Sequence, residues 1–326
     1  MGLVSLAVTL IALCIGVGTV VLLGTLAAAY VFQDRLLYLP VVMVDWWEWT
    51  PRQPKNNFDP STRSPEWYGW THEDLWMKSS TDETKLHAWF IHAVESPNRP
   101  PNENIPTVIF FHGNAGNIGF RLDFASCLVE SCHCNIILVE YRGFGSSAGS
   151  PNEKDFIADA VDWLKFVQQH EAVDPSKIVV MGRSLGGAVA IGLVEALGKA
   201  AWDEGVDPPF QGLVLENTFL SIPRFCSDAL QLLVPNKVIR EWLVQTFVTL
   251  SWDSVSRIQC IPENLPVLFL SGLRDELVPP GHMASLSAKA ASNQVLVRQF
   301  RHGMHNTTWM EKNYCESLNS WICSLS

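Results

Sequence analysis

Polar positions are distributed unevenly along the chain, and the imbalance divides it into parts. From Gly2 to Gln33 there is no charged side chain, and Leu, Val, Ile and Ala dominate. A helix of that length exceeds the ~30 Å hydrocarbon core of a bilayer. Residues 1–33 are therefore read as a single transmembrane anchor. Ala27-Ala28-Ala29 has the form of a cleavage site, but a basic leading region is missing and the apolar run is longer than a signal-peptide core. Residues 34–71, rich in Pro, Asn, Ser and Trp without a clean period, read as a linker lying over a surface.

From residue 72 onward the pattern changes to short apolar runs alternating with helical stripes, the signature of a mostly parallel sheet covered by helices on both faces. Strands are expected at Glu73 to Lys78, Lys85 to Val94, Thr107 to Phe111, Asn135 to Tyr141, Ile178 to Met181, Gly212 to Glu216, Pro266 to Ser271 and Val295 to Phe300. Between Glu153 and His170, the residues Phe156, Ala160, Leu164 and Val167 recur on one stripe, as in a covering helix. The run after Ser184 is apolar almost all round, as a central helix must be. A terminal helix is expected from about Asn306 to Cys323. Residues 220–264 break the rhythm without a strand, and Ile239, Trp242, Leu243, Thr246, Phe247 and Leu250 share a helical face there. They read either as a helical insertion over the site or as a plain crossover.

Charge and cysteine usage narrow the class. A net charge of -10 offers no basic face for nucleic acid. Cys14 falls in the anchor and seven cysteines in the body, an odd number without the spacing of a disulfide framework, so reduced thiols are expected. Cys132-His133-Cys134 lacks a second ligand pair at a zinc-like spacing and reads as packing. The nearest cations, Arg35, Arg52 and Lys55, follow the apolar run, and the sequon at Asn306 adjoins a candidate site histidine. With the thiols, these features place the body on the cytosolic side of a single-pass membrane protein.

Chemistry concentrates on Gly182-Arg183-Ser184-Leu185-Gly186, a GxSxG pentapeptide between a strand and a helix. A serine on such a tight turn is lifted clear of the sheet, with the free N–H groups of the new helix beside it. Its hydroxyl needs a base, and the base needs an orienting acid. In this arrangement the acid and then the histidine follow the serine in the chain. Asp275, after the strand ending near Ser271, is the leading acid, with Glu216 the runner-up. Arg274 beside it is expected to help hold it ionised. Of the histidines late enough in the chain, His305 is chosen over His302, and His282 is assigned to a helix. An oxyanion would take one N–H from Leu185 and a second from Asn114 in Phe111-His112-Gly113-Asn114-Ala115-Gly116-Asn117. No metal or organic cofactor is implied.

These motifs, together with Glu140-Tyr141-Arg142-Gly143-Phe144-Gly145, make residues 72–326 resemble the alpha/beta hydrolases. With the apolar anchor and Arg63-Ser64-Pro65-Glu66, the chain is more narrowly similar to the membrane-anchored alpha/beta hydrolase domain-containing protein thirteen group, related to bud-emergence and wavy-growth proteins. Glu140 stands where Asp is commoner, and Met304 interrupts a commoner glycine-rich approach to the histidine. The resemblance implies the alpha/beta-hydrolase fold and a serine hydrolase with Ser184, Asp275 and His305 as its triad, cleaving acyl esters or thioesters of lipids or acylated proteins. A peptidase of the prolyl-aminopeptidase type and a non-catalytic membrane scaffold are the rival readings.

Overall fold

The computed structural model describes residues 24, 30–39, 63–94, 105–198 and 207–325. Most of the expected anchor lies outside them, and among the described residues no helix is long and apolar enough to cross a membrane. Part of the expected linker, residues 40–62, also lies outside.

Eight strands form one sheet in the order β1-β2-β4-β3-β5-β6-β7-β8. They are β1 His72–Lys78, β2 Lys85–Ile91, β3 Thr107–Phe111, β4 Asn135–Glu140, β5 Ile178–Arg183, β6 Gly212–Glu216, β7 Val267–Gly272 and β8 Val295–Phe300. β2 runs antiparallel to both β1 and β4, and every pairing from β4 through β8 is parallel. Because successive side chains of a strand point to opposite faces, one run feeds two cores. Ile109 and Phe111 of β3 pack on one side, Val108 and Phe110 on the other. That explains why the inner strands read as continuous apolar runs.

The covering helices are α1 at residues 30–37, α2 Leu122–Ser126, α3 Glu153–Gln168, α4 Leu185–Ala196, α5 Ile222–Ala229, α6 Lys237–Phe247, α7 Ser254–Arg257, α8 Gly281–Lys289 and α9 Tyr314–Cys323. Asn152 caps α3 by accepting from the Asp155 N–H at 2.9 Å, so the periodic stripe starts where its orphan donors are met. Residues 220–264 carry α5, α6 and α7 and no strand. The terminal helix begins at Tyr314 rather than near Asn306, since the intervening chain folds into turns that carry His305 and Thr308, and Asn313 takes the left-handed conformation.

Two expectations are corrected. The beginning of the presumed linker is an integral part of the body: Leu39 bridges Ala115, and Tyr38 is buried with its ring 5.3 Å from Phe156. The thiols are not all reduced either. Cys127, in the π-helical turn after α2, pairs with Cys315 on α9 at a Cα–Cα distance of 5.6 Å. Their separation of 188 residues is bridged only by the tertiary fold, so spacing along the chain gave no sign of it.

Candidate active site

The carboxyl edge of the sheet gathers the predicted residues. Ser184 follows β5 directly and takes φ +55 and ψ −118, a conformation that costs a non-glycine residue ~1–3 kcal/mol and persists only where the surroundings impose it. Two glycines make room for it. A Cβ on Gly182 would stand 2.1 Å from the Gly186 carbonyl oxygen, and one on Gly186 would stand 1.9 Å from the Phe111 carbonyl oxygen. Neither backbone can move aside, so the elbow closes only with glycine at both positions.

Ser184 Oγ lies 3.0 Å from His305 Nε2, and His305 Nδ1 lies 2.8 Å from Asp275 Oδ2. An ionised carboxylate only accepts, so Nδ1–H donates to Asp275 and Nε2 is left to accept from the serine hydroxyl. All three side chains are buried or nearly so. The other oxygen of Asp275 accepts from the backbone N–H groups of Leu277 at 2.9 Å and Val278 at 2.8 Å. Arg274, the expected neighbour, is exposed. Among the described residues no ion pair joins Arg274 to Asp275. Glu276 reaches back to accept from the His305 N–H at 3.1 Å.

The other candidates have different partners. Glu216 is fully buried, pairs with Arg183 at 2.9 Å and accepts from the Tyr314 hydroxyl at 2.8 Å. Burial, with the Glu216 charge adding to it, holds the Tyr314 hydroxyl well above its ordinary pKa. His302 is exposed. His282 bonds Asp228 of the insertion at 2.9 Å and makes no hydrogen bond to the serine.

Leu185 opens α4, and the chain at Gly113 passes so close to the serine that a Cβ there would lie 3.6 Å from the Ser184 Cβ. Asn114 sits next in that loop, but its side chain faces outward: Nδ2 donates to the Leu37 carbonyl at 2.8 Å. Its backbone N–H is the donor on the serine side of the loop that can serve a reacting oxygen. The loop is braced from behind by His112, whose Nδ1–H donates to the Gly113 carbonyl at 2.6 Å and whose ring packs 4.4 Å from Tyr141. Burial, with Arg121 nearby, pushes the His112 imidazole well below its ordinary pKa, so it stays neutral.

Beside Glu216, the runner-up acid, stand two residues whose role no motif in the sequence announces. Asn217, at φ +46, donates from Nδ2 to the His305 carbonyl at 3.0 Å and to Thr308 Oγ1 at 2.9 Å, and accepts from the Gly272 N–H at 2.8 Å. Thr218 donates to the Ser184 carbonyl at 2.7 Å, and the Glu216 carbonyl accepts from the Ser184 N–H at 2.9 Å. Three consecutive residues thus fasten the serine, acid and histidine segments together. Their signal in sequence was only their position at the end of the strand beside the elbow.

Residues 106–247 match the family model described as the alpha/beta hydrolase fold. Over 305 residues, 92% of this chain and 89% of the relative, the sequence is 37% identical to the alpha/beta hydrolase domain-containing protein WAV2 of Arabidopsis thaliana. The chain belongs to the alpha/beta-hydrolase family. It is also 30% identical to the uncharacterized membrane protein YNL320W of Saccharomyces cerevisiae, with 94% of each chain covered. Among solved structures, the Pyrococcus furiosus esterase PF2001 shares the fold with a TM-score of 0.59 at 17% identity, covering 81% of this chain and 93% of that one.

Proposed function

We propose that the protein is a membrane-anchored serine hydrolase that cleaves acyl esters or thioesters, of lipids or acylated proteins, through an acyl-enzyme. The observation that carries this reading is the hydrogen-bonded relay from Ser184 through His305 to Asp275, at 3.0 and 2.8 Å, on a strained elbow. Ser184 Oγ attacks the acyl carbon while Nε2 of His305 takes its proton. Asp275 fixes the imidazole tautomer and stabilises the imidazolium. The negative oxygen of the tetrahedral intermediate is met by the Leu185 and Asn114 backbone N–H groups. The imidazolium then protonates the leaving alcohol or thiol, and water repeats the cycle to release the acid. The Pyrococcus neighbour is an esterase, which agrees with that class.

The anchor rests on the uncharged run from Gly2 to Gln33 and on the relative described as a membrane protein. For the body's compartment, the Cys127–Cys315 pair weighs against the argument from reduced thiols, although the other five body cysteines remain thiols. Disulfides of this kind persist in oxidising surroundings, which favours the non-cytosolic face for the body.

A fluorophosphonate probe tests the central claim. It should label the wild-type chain at Ser184 and fail to label Ser184→Ala. Equal labelling of both would sink it, and no labelling of either would favour a scaffold. The protein that takes the label should turn over long-chain esters and thioesters in preference to short soluble ones and to amides.

A further inference from the structure

The insertion between β6 and β7 ends in an unusually apolar surface. Leu232 is 92% exposed, Leu233 80% and Val238 76%, and Ile239 and Trp242 are also exposed. Val238 and Trp242 are four residues apart on α6 and Ile239 and Trp242 three, so these side chains share one helical face. The opposite face is buried, with Val244 and with Arg240, whose Nε donates to Ser227 of α5 and whose guanidinium donates to the Val234 carbonyl at 2.9 Å, so it is already occupied within the insertion. A large apolar face of this kind marks a partner rather than a fold requirement.

The identity of the partner comes from the neighbouring element. α1 packs beside the insertion and exposes Val31 at 68% and Leu36 at 63%, together with Phe32. It is pinned at three points. Gln33 Oε1 accepts from the N–H groups of Thr249 at 2.8 Å and Leu250 at 3.2 Å, in the chain leaving α6. The Tyr38 hydroxyl accepts from Trp252 Nε1 at 3.0 Å, and Leu39 exchanges two backbone hydrogen bonds with Asn114 and Gly116. Immediately before α1 lies the uncharged sequence 2–29. A chain that enters a bilayer through that sequence is fastened to the insertion from Gln33 onward, which keeps the insertion on the bilayer side of the body.

We infer that the exposed apolar face of residues 232–242, with Val31, Phe32 and Leu36 of α1, docks into the lipid bilayer. The inference rests on the membrane-hydrolase reading and narrows it: the substrate is an acyl chain resident in the bilayer, delivered beside the insertion. The net charge of -10 gives the body no attraction to anionic headgroups. Docking therefore proceeds by apolar burial, on uncharged or zwitterionic lipid, and is insensitive to salt.

The test uses the full-length chain in phosphatidylcholine vesicles, with a solvatochromic amino acid in place of Leu232 or, as a control, of Lys165, which is exposed far along α3. Spin-labelled lipid should quench the probe at 232 and not the probe at 165, equally at low and high salt. No excess quenching at 232 would overturn the inference, whether that face is covered by residues 40–62 or lies in water. So would a signal at 232 that depends on the ratio of protein to lipid, the mark of a second copy seated there. Separately, the double variant Leu232→Asp, Trp242→Asp should lose about tenfold or more of its activity on a vesicle-embedded ester, the equivalent of one large apolar side chain no longer buried. Its activity on a soluble ester should stay within about twofold, the range set by an exposed site away from the reacting groups. Equal loss on both substrates would count against docking. Because quenching is read without turnover, failed fluorophosphonate labelling beside a quenched 232 would remove the hydrolase and leave the docking face.

Discussion

The two regions that flank the exit of β6 are built on opposite principles. On one side, residues 216–218 are wholly buried and almost every polar atom there is spoken for: the Asn217 side chain alone joins Gly272, His305 and Thr308. On the other, the insertion turns Leu232, Leu233, Val238, Ile239 and Trp242 outward. Reaction geometry tolerates errors well under an ångström, so the groups proposed to set it are buried and held by several hydrogen bonds. A surface that must accept a partner leaves its apolar groups uncovered until the partner arrives. Substitutions on either side separate these two kinds of construction.

The largest effect is expected at the rigid side. Asp275→Asn keeps the shape and an acceptor for the Leu277 and Val278 N–H groups but removes the charge facing His305 and allows the wrong tautomer. The turnover number should fall roughly 10³–10⁴-fold, as for other serine hydrolases deprived of this carboxylate. Thermal unfolding should change little. A loss of under tenfold would mean that His305 is oriented by something else.

Next is Asn217→Ala, which touches no reacting atom. Three buried partners lose their hydrogen bonds, at ~1–3 kcal/mol for each polar group left unsatisfied, and alanine is poorly suited to the positive φ that Asn217 holds. The expected result is a chain less stable by several kcal/mol, with the turnover number reduced ~10–100-fold at temperatures where it remains folded. KM should change much less. Wild-type turnover in the folded variant would show that the hub serves stability alone.

Much of this architecture was legible in the sequence, and the rest was hidden for identifiable reasons. The inner strands and the elbow announce themselves locally: a run such as Asn135 to Glu140 has nowhere to lie but a sheet buried on both faces, and Gly182 is demanded by a contact within its own turn, while Gly186 answers to Phe111 on the neighbouring strand. Asp275 and His305 could be chosen because chain order and strand ends restrict the options. The contribution of Asn217 could not, since it consists of bonds to residues 55, 88 and 91 positions away. The same holds for Cys127 with Cys315 and for Leu39 with Ala115, whose partners exist only once the sheet has assembled. Glu140, uncommon at its place in the motif, is explained in the same way. Its carboxylate accepts from His87 Nδ1 at 3.0 Å and from the Ser146 N–H at 2.7 Å, linking β2 to the loop after β4.

The smallest predicted effect lies where the two regions meet. His282 on α8 accepts the Leu220 N–H on Nδ1 at 3.0 Å, so its other nitrogen donates to Asp228 of α5 at 2.9 Å. Burial lowers its pKa, and the opposing pull of Asp228 does not make up for it, with Arg224 adding to the fall and Asp275 opposing it. A second proton would have to sit on Nδ1, against the Leu220 N–H. The folded pKa is below the unfolded one, so as pH falls through about 6.5 the unfolded chain binds the proton first and stability declines, by at most ~1.4 kcal/mol per pH unit for one site. His112, lowered by burial in the same way, has the same sign. His87 has the opposite one, because Glu140 and Asp74 outweigh its burial and raise its pKa, so its contribution fades as pH rises. His282→Gln removes one of these terms and leaves the other two. The fall in Tm between about pH 7.5 and 5.5 should therefore shrink by a few degrees, while the pH dependence of the soluble-ester reaction stays put. If instead the reaction profile moved and the melting profile did not, His282 would belong to the site and not to the hinge of the insertion.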